Sequence, residues 1–138
     1  MRRSIRGIIV ATLVLAGAAT AGAQPWSPPA PATLKVLPRD TDPRALILMM
    51  RGFTQGLGVR CKHCHVYQGD NPDDLTRFDF ASDDKPAKLT TRTMLRMVLA
   101  INNDYLKDVG EARPAGESKV TCYTCHRGET RPQTQRPK

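Results

Sequence analysis

Apolar residues recur at helical spacing in two stretches of the chain, and each stretch has typical helix boundaries. In the first stretch, Asp42 followed by Pro43 indicates a helix start, while Gly56 and Gly58 indicate its end. The spacing predicts a first helix over residues 43–55. Its apolar face consists of positions three or four residues apart, namely Leu46, Ile47, Met50, Phe53 and Leu57.

A second helix is predicted over residues 86–109, with Asp84 and Pro86 near its start and Pro114 beyond its end. Its apolar stripe consists of Met94, Met97, Val98, Ile101, Tyr105 and Val109. Residues 66–84, between the helices, have the composition of a loop, and we expect the six aspartates at 70–84 to face solvent. The pattern therefore predicts a small, mostly α-helical fold with long loops.

A Cys-x-x-Cys-His pentapeptide follows each predicted helix. The two copies, at residues 61–65 and 122–126, use all four cysteines of the chain. This pentapeptide is typical of covalent c-type haem attachment, in which each cysteine forms a thioether and the histidine binds the iron. We expect residues 66–67 and 78–80 to pack over the first haem. The sequence predicts two covalent haem c groups, held by Cys61, Cys64, His65, Cys122, Cys125 and His126.

Two other classes of site use similar residues. A structural zinc site could take its ligands from the two cysteine pairs, but 57 residues separate Cys64 from Cys122. Zinc ribbons usually separate their pairs by about 15–20 residues. A dihaem enzyme such as a peroxidase needs an open iron position, with acid or base groups beside it. The remaining histidine, His63, is expected to face solvent or to bind a haem in another molecule, so the sequence predicts an electron carrier rather than an enzyme.

Methionines supply candidates for the second axial ligand of each iron. Four of the five lie in the predicted helices, as the neighbours Met49 and Met50 and as the pair Met94 and Met97. Methionine commonly ligates electron-carrying c-type haems and raises their potential, although it also fills irregular cores. Because each pair precedes a haem motif, we expect one ligand from each helix. Met49 and Met50 differ by about 100° around a helix, so only one can face the iron, whereas Met94 and Met97 lie about 60° apart and either can do so.

The N-terminus has the features of an export signal. Three arginines precede an apolar run at 8–19, and small residues at 21–23 form the expected cleavage site. An uncleaved anchor is the alternative, although a spanning helix needs about 20 residues. The segments predicted are a signal peptide (1–23), a proline-rich tether (24–38), one dihaem domain (39–130) and a polar tail (131–138).

The charge of the chain bears on its partners. Cleavage of the signal lowers the formal net charge from +8 to +5, because it removes Arg2, Arg3 and Arg6. A modestly basic electron carrier is attracted to an acidic face on its redox partner. The predicted location is the periplasm, where nucleic acid is not a partner and where any membrane contact is made through another protein.

The sequence around both motifs resembles the photosynthetic reaction-centre cytochrome c subunit family. The resemblance covers about residues 37–128 and is carried by residues 50–65, by 94–97 with Asn102, and above all by the run Val-Thr-Cys-Tyr-Thr-Cys-His-Arg-Gly at 120–128. In that family a helix precedes each haem motif and usually donates a methionine. The resemblance therefore implies Met50 as ligand to the first haem and Met94 as ligand to the second. Because the family's subunit has four motifs and this chain has two, it also implies a shorter dihaem relative.

Overall fold

The computed structural model describes residues 33–114 and 116–135. The predicted signal peptide and the tether up to residue 32 lie outside this range. Two 3-10 turns, Cys61–His63 and Leu75–Arg77, and one π-helical turn, Ile101–Tyr105, connect the longer elements. In chain order the helices are α1 (Pro43–Leu57), α2 (Pro86–Ala100) and α3 (Cys122–His126), and the strands are β1 (Val66–Tyr67) and β2 (Phe78–Asp79).

Helix α1 confirms the first predicted helix and extends it by two residues. The Asp42 carboxylate accepts hydrogen bonds from the N–H groups of Arg44 and Ala45, both at 3.0 Å, which is the expected N-terminal cap. The helix ends at Gly58, whose φ of 63° lies in the left-handed region. Glycine is the residue that adopts this conformation most readily.

Helix α2 begins at Pro86 as predicted, but the prediction that it continues to Val109 is wrong. The α-helical pattern stops at Ala100 and widens into the π-helical turn, which ends where the N–H of Leu106 donates to the carbonyl oxygen of Ile101 at 2.9 Å. The ammonium group of Lys119 then donates to the carbonyl oxygens of Leu106 and Val109, at 2.7 and 2.6 Å. A side chain from a later segment thus satisfies the carbonyls that a further helical turn would have used.

The segment predicted as a loop contains a short antiparallel ribbon. Val66 pairs with Asp79 and Tyr67 pairs with Phe78. The loop after β2 is fixed to α2 by Lys88, whose ammonium group donates to the carbonyl oxygens at residues 80, 81 and 82, at 2.9, 3.2 and 2.6 Å. Lys88 is only 9% exposed, and a buried charge of this kind needs such partners.

Helix α1 packs against α3 through glycines. A Cβ atom on Gly56 would lie 2.8 Å from the Cβ of Cys122, and one on Gly58 only 1.9 Å from the carbonyl oxygen of Gly128. The N–H of Gly128 donates to the carbonyl oxygen of Gly56 at 3.0 Å. The end of the helix before the first motif is therefore in backbone contact with the second motif. The sequence indicated these glycines as helix stops but not as this contact.

Few side chains of the described residues are fully buried. Leu46 and Phe78 are the buried apolar side chains there, each 9% exposed. Residues 34–37, at the end of the predicted tether, line the same cavity as the apolar face of α1, so this part of the tether contacts the domain. Among the described residues, no helix has the length and apolar character needed to cross a membrane.

Candidate functional site

The first motif folds as a tight turn directly after α1. The N–H groups of Cys64 and His65 both donate to the carbonyl oxygen of Cys61, at 3.2 and 3.0 Å. This turn places both cysteines and His65 in the wall of one cavity. The Sγ atom of Cys64 also lies 3.8 Å from the hydroxyl oxygen of Thr91, so the motif contacts α2 as well as following α1.

The cavity beside the first motif has a volume of about 720 Å³, within the range of roughly 300–1,000 Å³ that is usual for cofactor sites. Side chains from α1, the first motif, the ribbon and α2 form its walls. The predicted apolar face of α1 lines it in full, through Leu46, Ile47, Met50, Phe53 and Leu57.

The prediction that the ribbon covers the cavity holds for one of its two strands and fails for the other. Phe78 and Phe80 line it and stack on each other with ring centroids 5.4 Å apart. Val66 and Tyr67 do not line it, which corrects the expectation that they cover the first site. Tyr67 instead packs on Phe78, with centroids 4.6 Å apart, because the two residues are partners in the ribbon.

His65 is held as a neutral imidazole in the cavity wall. Burial, together with the positive charges of Lys88 and Arg92, lowers the pKa of His65 to about 4. Phe80 packs edge-on against the ring at a centroid distance of 5.0 Å. Within the described part of the chain, the buried Nδ1 atom of His65 has no hydrogen-bond partner. A neutral imidazole in the wall of a cavity can bind a metal through Nε2, and within this described part the Nδ1 atom of His65 lacks the hydrogen bond that orients the ring of His126.

The structure distinguishes the two methionines of α1. Met50 lines the same cavity as His65. Met49 does not line it and is 39% exposed. Because consecutive helical residues point about 100° apart, this rotation gives only Met50 access to the cavity.

Charged side chains border the cavity beside α2. The Oδ1 atom of Asp83 lies 3.3 Å from the ammonium group of Lys88 and 2.8 Å from the guanidinium of Arg92, and its Oδ2 atom lies 2.5 Å from the ammonium group of Lys35. The nearby cations Arg92 and Lys35 hold the pKa of this carboxyl well below its usual range. The expectation that the aspartates of this segment only face solvent is therefore wrong for Asp83, which links the loop, α2 and the chain before α1.

The second motif forms one helical turn, α3. The side chains of Thr121 and Thr124 cap its start reciprocally with backbone N–H groups. The Nδ1 atom of His126 lies 2.9 Å from the carbonyl oxygen of Glu129. When Nδ1 donates this hydrogen bond, the Nε2 atom remains free to bind a metal, which is the usual arrangement of a ligating histidine.

Helix α2 turns different faces towards the two motifs. Its residues Lys88, Thr91, Arg92 and Leu95 line the first cavity. Met94 and Met97 lie outside that wall and are 42% and 47% exposed. The two methionines of the predicted stripe are therefore exposed on the surface of α2 rather than packed against another element.

Met94 and Met97 lie on different ridges of the α2 surface. Met94, Val98 and Asn102 are spaced by four residues and so lie along one ridge of the helix surface. The Asn102 side chain forms hydrogen bonds with the backbone of Val120, two residues before α3. Met97 lies on the neighbouring ridge, with Ile101 four residues later.

A family model described as the photosynthetic reaction centre cytochrome C subunit matches residues 60–136, more than half of the chain and both motifs. The chain belongs to this family. Similar relatives include the photosynthetic reaction center cytochrome c subunits of Thermochromatium tepidum, 38% identical over 72 residues, and of Rubrivivax gelatinosus, 29% identical over 91 residues. Cytochrome c-554 of Chloroflexus aurantiacus is 32% identical over 78 residues. No solved structure gives a significant match.

These alignments cover 52%, 61% and 56% of this cytochrome, but only 14%, 23% and 16% of the respective relatives. The chain thus spans less than a quarter of the length of the curated relatives that it matches. Membership places the chain among the c-type cytochromes, which bind haem covalently.

The cysteines can also be considered as ligands of one shared zinc site. All four are free of disulfides, and burial raises the pKa values of the Cys64 and Cys122 thiols. Among the described residues, no three or more His, Cys, Asp or Glu side chains are grouped as a metal site would require. The two cysteine pairs therefore do not form the shared site that the zinc alternative needs.

Sequence reasoning missed the face of α2 that closes the first cavity. Lys88, Thr91, Arg92 and Leu95 do follow the three-and-four spacing of a helix face. The signal was obscured because two of them are charged, and a charged side chain normally indicates the solvent side. Asp83 pairs with both cations in the structure, but as one of six aspartates at 70–84 it gave no sign of this in the sequence.

Proposed function

We propose that this cytochrome is a periplasmic dihaem electron carrier with His/Met ligation at both irons. The observation that carries the proposal is the first cavity, which brings together Cys61, Cys64, His65 and Met50 from separate elements. When bound, haem supplies a one-electron iron couple.

At the first site, Cys61 and Cys64 are the thioether residues, His65 is the proximal ligand and Met50 is the distal ligand. The apolar face of α1 and the rings of Phe78 and Phe80 exclude water from the cavity. Support for Met50 over Met49 comes from its position in the cavity wall. Two fixed ligands leave little need for the chain to rearrange when the charge on the iron changes, which suits electron transfer.

At the second site, Cys122 and Cys125 are the thioether residues, His126 is the proximal ligand and Met94 is the distal ligand. The hydrogen bond between His126 and the Glu129 carbonyl orients the ring. Support for Met94 over Met97 comes from the ridge that it shares with Val98 and Asn102. A haem here would also cover part of the apolar surface exposed on α2.

The partners are redox proteins, and we place their contact near the first motif. Arg60, Lys62, His63 and Lys85 line a shallow groove there together with Val59. This basic edge is complementary to an acidic docking face. Relatives are named as subunits of photosynthetic reaction centres, so a reaction centre is one candidate partner, and no catalysed reaction is proposed.

The test is intact mass and an optical redox titration of the exported protein, made in a host that attaches haem c. We expect cleavage after Ala23, a mass increase of two haems that survives denaturation, and low-spin spectra. Met50→Ala should make one haem high-spin and lower its potential, since methionine ligation raises it. Met49→Ala is the matched control and should change neither property. A colourless product, or equal effects of the two substitutions, would contradict the proposal.

A further inference from the structure

Asn102 joins the end of the α2 segment to the backbone that enters the second motif. Its Nδ2 group donates to the carbonyl oxygens of Val98 and Val120, both at 2.8 Å, and its Oδ1 atom accepts the N–H of Val120 at 3.0 Å. The side chain therefore pairs with both backbone groups of Val120, as a neighbouring strand would. A third hydrogen bond anchors the same amide to the helix that carries Met94.

The geometry of this clamp is hard for other side chains to reproduce. A primary amide is the group that can donate two hydrogen bonds and accept another from one planar end. Asn102 is partly buried and lies in the π-helical turn Ile101–Tyr105, and such turns are frequent at functional positions. Its neighbour Asn103, in the same turn, is exposed.

Lys119 strengthens the same junction from the other side. Its ammonium group donates to the carbonyl oxygens of Leu106 and Val109, so residues 119 and 120 are both attached to the segment that follows α2. Thr121 then caps α3, so only this capping residue separates the clamp on Val120 from the motif. Val120 is thus a point at which the chain entering the second motif is tied to the helix that carries Met94.

We propose that Asn102 is a positioning residue for the second iron, which fixes the reach of Met94 to the haem held by His126. This inference rests on the proposed function. Met94 lies on the ridge that leads to Asn102, two helical turns earlier, and the clamp aligns that ridge with the motif. Without the clamp, α3 keeps its contact with Gly56 on α1, but its position relative to α2 is no longer fixed.

The test compares Asn102→Ala with the matched control Asn103→Ala in the full chain carrying both haems. An iron-bound methionine gives a far-red charge-transfer band in the ferric state and an upfield-shifted methyl resonance in the ferrous state. Met50→Ala and Met94→Ala each remove one of the two resonances and so assign them. We expect Asn102→Ala to remove most of the methyl resonance of Met94 and about half of the total charge-transfer band. The potential should fall at the second haem only.

The first haem is the internal control for folding, because Asn102 does not line its cavity. Asn102→Asp gives a second variant of nearly unchanged size, which keeps the acceptor for the Val120 N–H but loses both donors, and should give the same selective loss. Equal losses at both haems, or none at the second, in both variants overturn the inference. A wild-type protein that lacks the second haem or its methionine resonance contradicts the proposed function instead, before any variant is made.

Discussion

The two copies of the pentapeptide have the same residue pattern but very different surroundings. The first lies in the wall of a cavity built from both long helices and the ribbon, with His65 half-buried and Phe80 against its ring. The second forms a short helix whose Cys125 and Tyr123 are exposed. The same motif therefore does not fix its own surroundings, which the rest of the polypeptide supplies.

The difference arises from what the chain places over each motif. Before the first motif, α1 contributes a complete apolar face, and after it the ribbon returns over the cavity. The second motif is held mainly by backbone contacts, through the glycines of α1 and the Asn102 clamp. We expect the two haems to differ in ligand access and in their dependence on nearby charges, and three predictions test these differences.

The largest effect is expected at the glycine contact that joins the two sites. Gly58→Ala places a Cβ atom on the carbonyl oxygen of Gly128 and forces a non-glycine residue to positive φ. We expect the free energy of unfolding to fall by about 3 kcal/mol, measured by denaturant titration of the haem-loaded protein. Gly52→Ala is the control, because a Cβ atom there meets nothing within 4 Å, and it should stabilise the helix by about 0.5–1 kcal/mol. If Gly58→Ala lowered the free energy of unfolding only slightly, the contact between the end of α1 and Gly128 would not be important for stability.

An intermediate effect is expected in ligand access. Imidazole should bind the second ferric haem at about tenfold lower concentration than the first, a difference of about 1.4 kcal/mol, because the first motif lines a cavity whereas Tyr123 and Cys125 of the second are exposed. Spectral titration of the wild type gives the two affinities, and Met50→Ala identifies the first site by opening it. Equal affinities, or tighter binding at the first haem, would remove the distinction between an enclosed and an open site.

The smallest effect is expected from the ion pairs of Asp83, which border only the first site. Because the pKa of Asp83 is lowered in the folded state, its ionised form stabilises the fold. That contribution should be complete above about pH 5 and be lost as the pH falls below about 4. Asp83→Asn should therefore lower the melting temperature by a few degrees at pH 7, with the difference shrinking in acid.

The control for Asp83 is its exposed neighbour. Asp84→Asn should leave the melting temperature unchanged, since none of the described ion pairs involves Asp84. The spectrum and potential of the second haem should be the same in both variants. If Asp83→Asn changed the spectra and potentials of both haems equally, the cluster would stabilise the whole domain rather than the first site.

Local sequence signals predicted the elements that local chemistry controls. The Asp42 cap, the apolar face of α1 and the start of α2 at Pro86 all follow from short-range spacing, and the structure has them. The end of α2 was predicted wrongly because it depends on Lys119, a side chain that is 10 residues beyond Val109 along the chain. The ribbon was missed because its two strands have only two residues each, too few for an alternating pattern to be visible.

By itself, the sequence determined the family of the protein, and it predicted two haem-attachment motifs and four methionines as candidate ligands. These depend on residue types at fixed short spacings, which any conformation of the chain retains. The tertiary structure alone decided that Met50 rather than Met49 lines the cavity, that Asp83 is paired, and that the glycines at the end of α1 touch the second motif. Each of these is a contact between distant segments, and its energy depends on packing that no local pattern records.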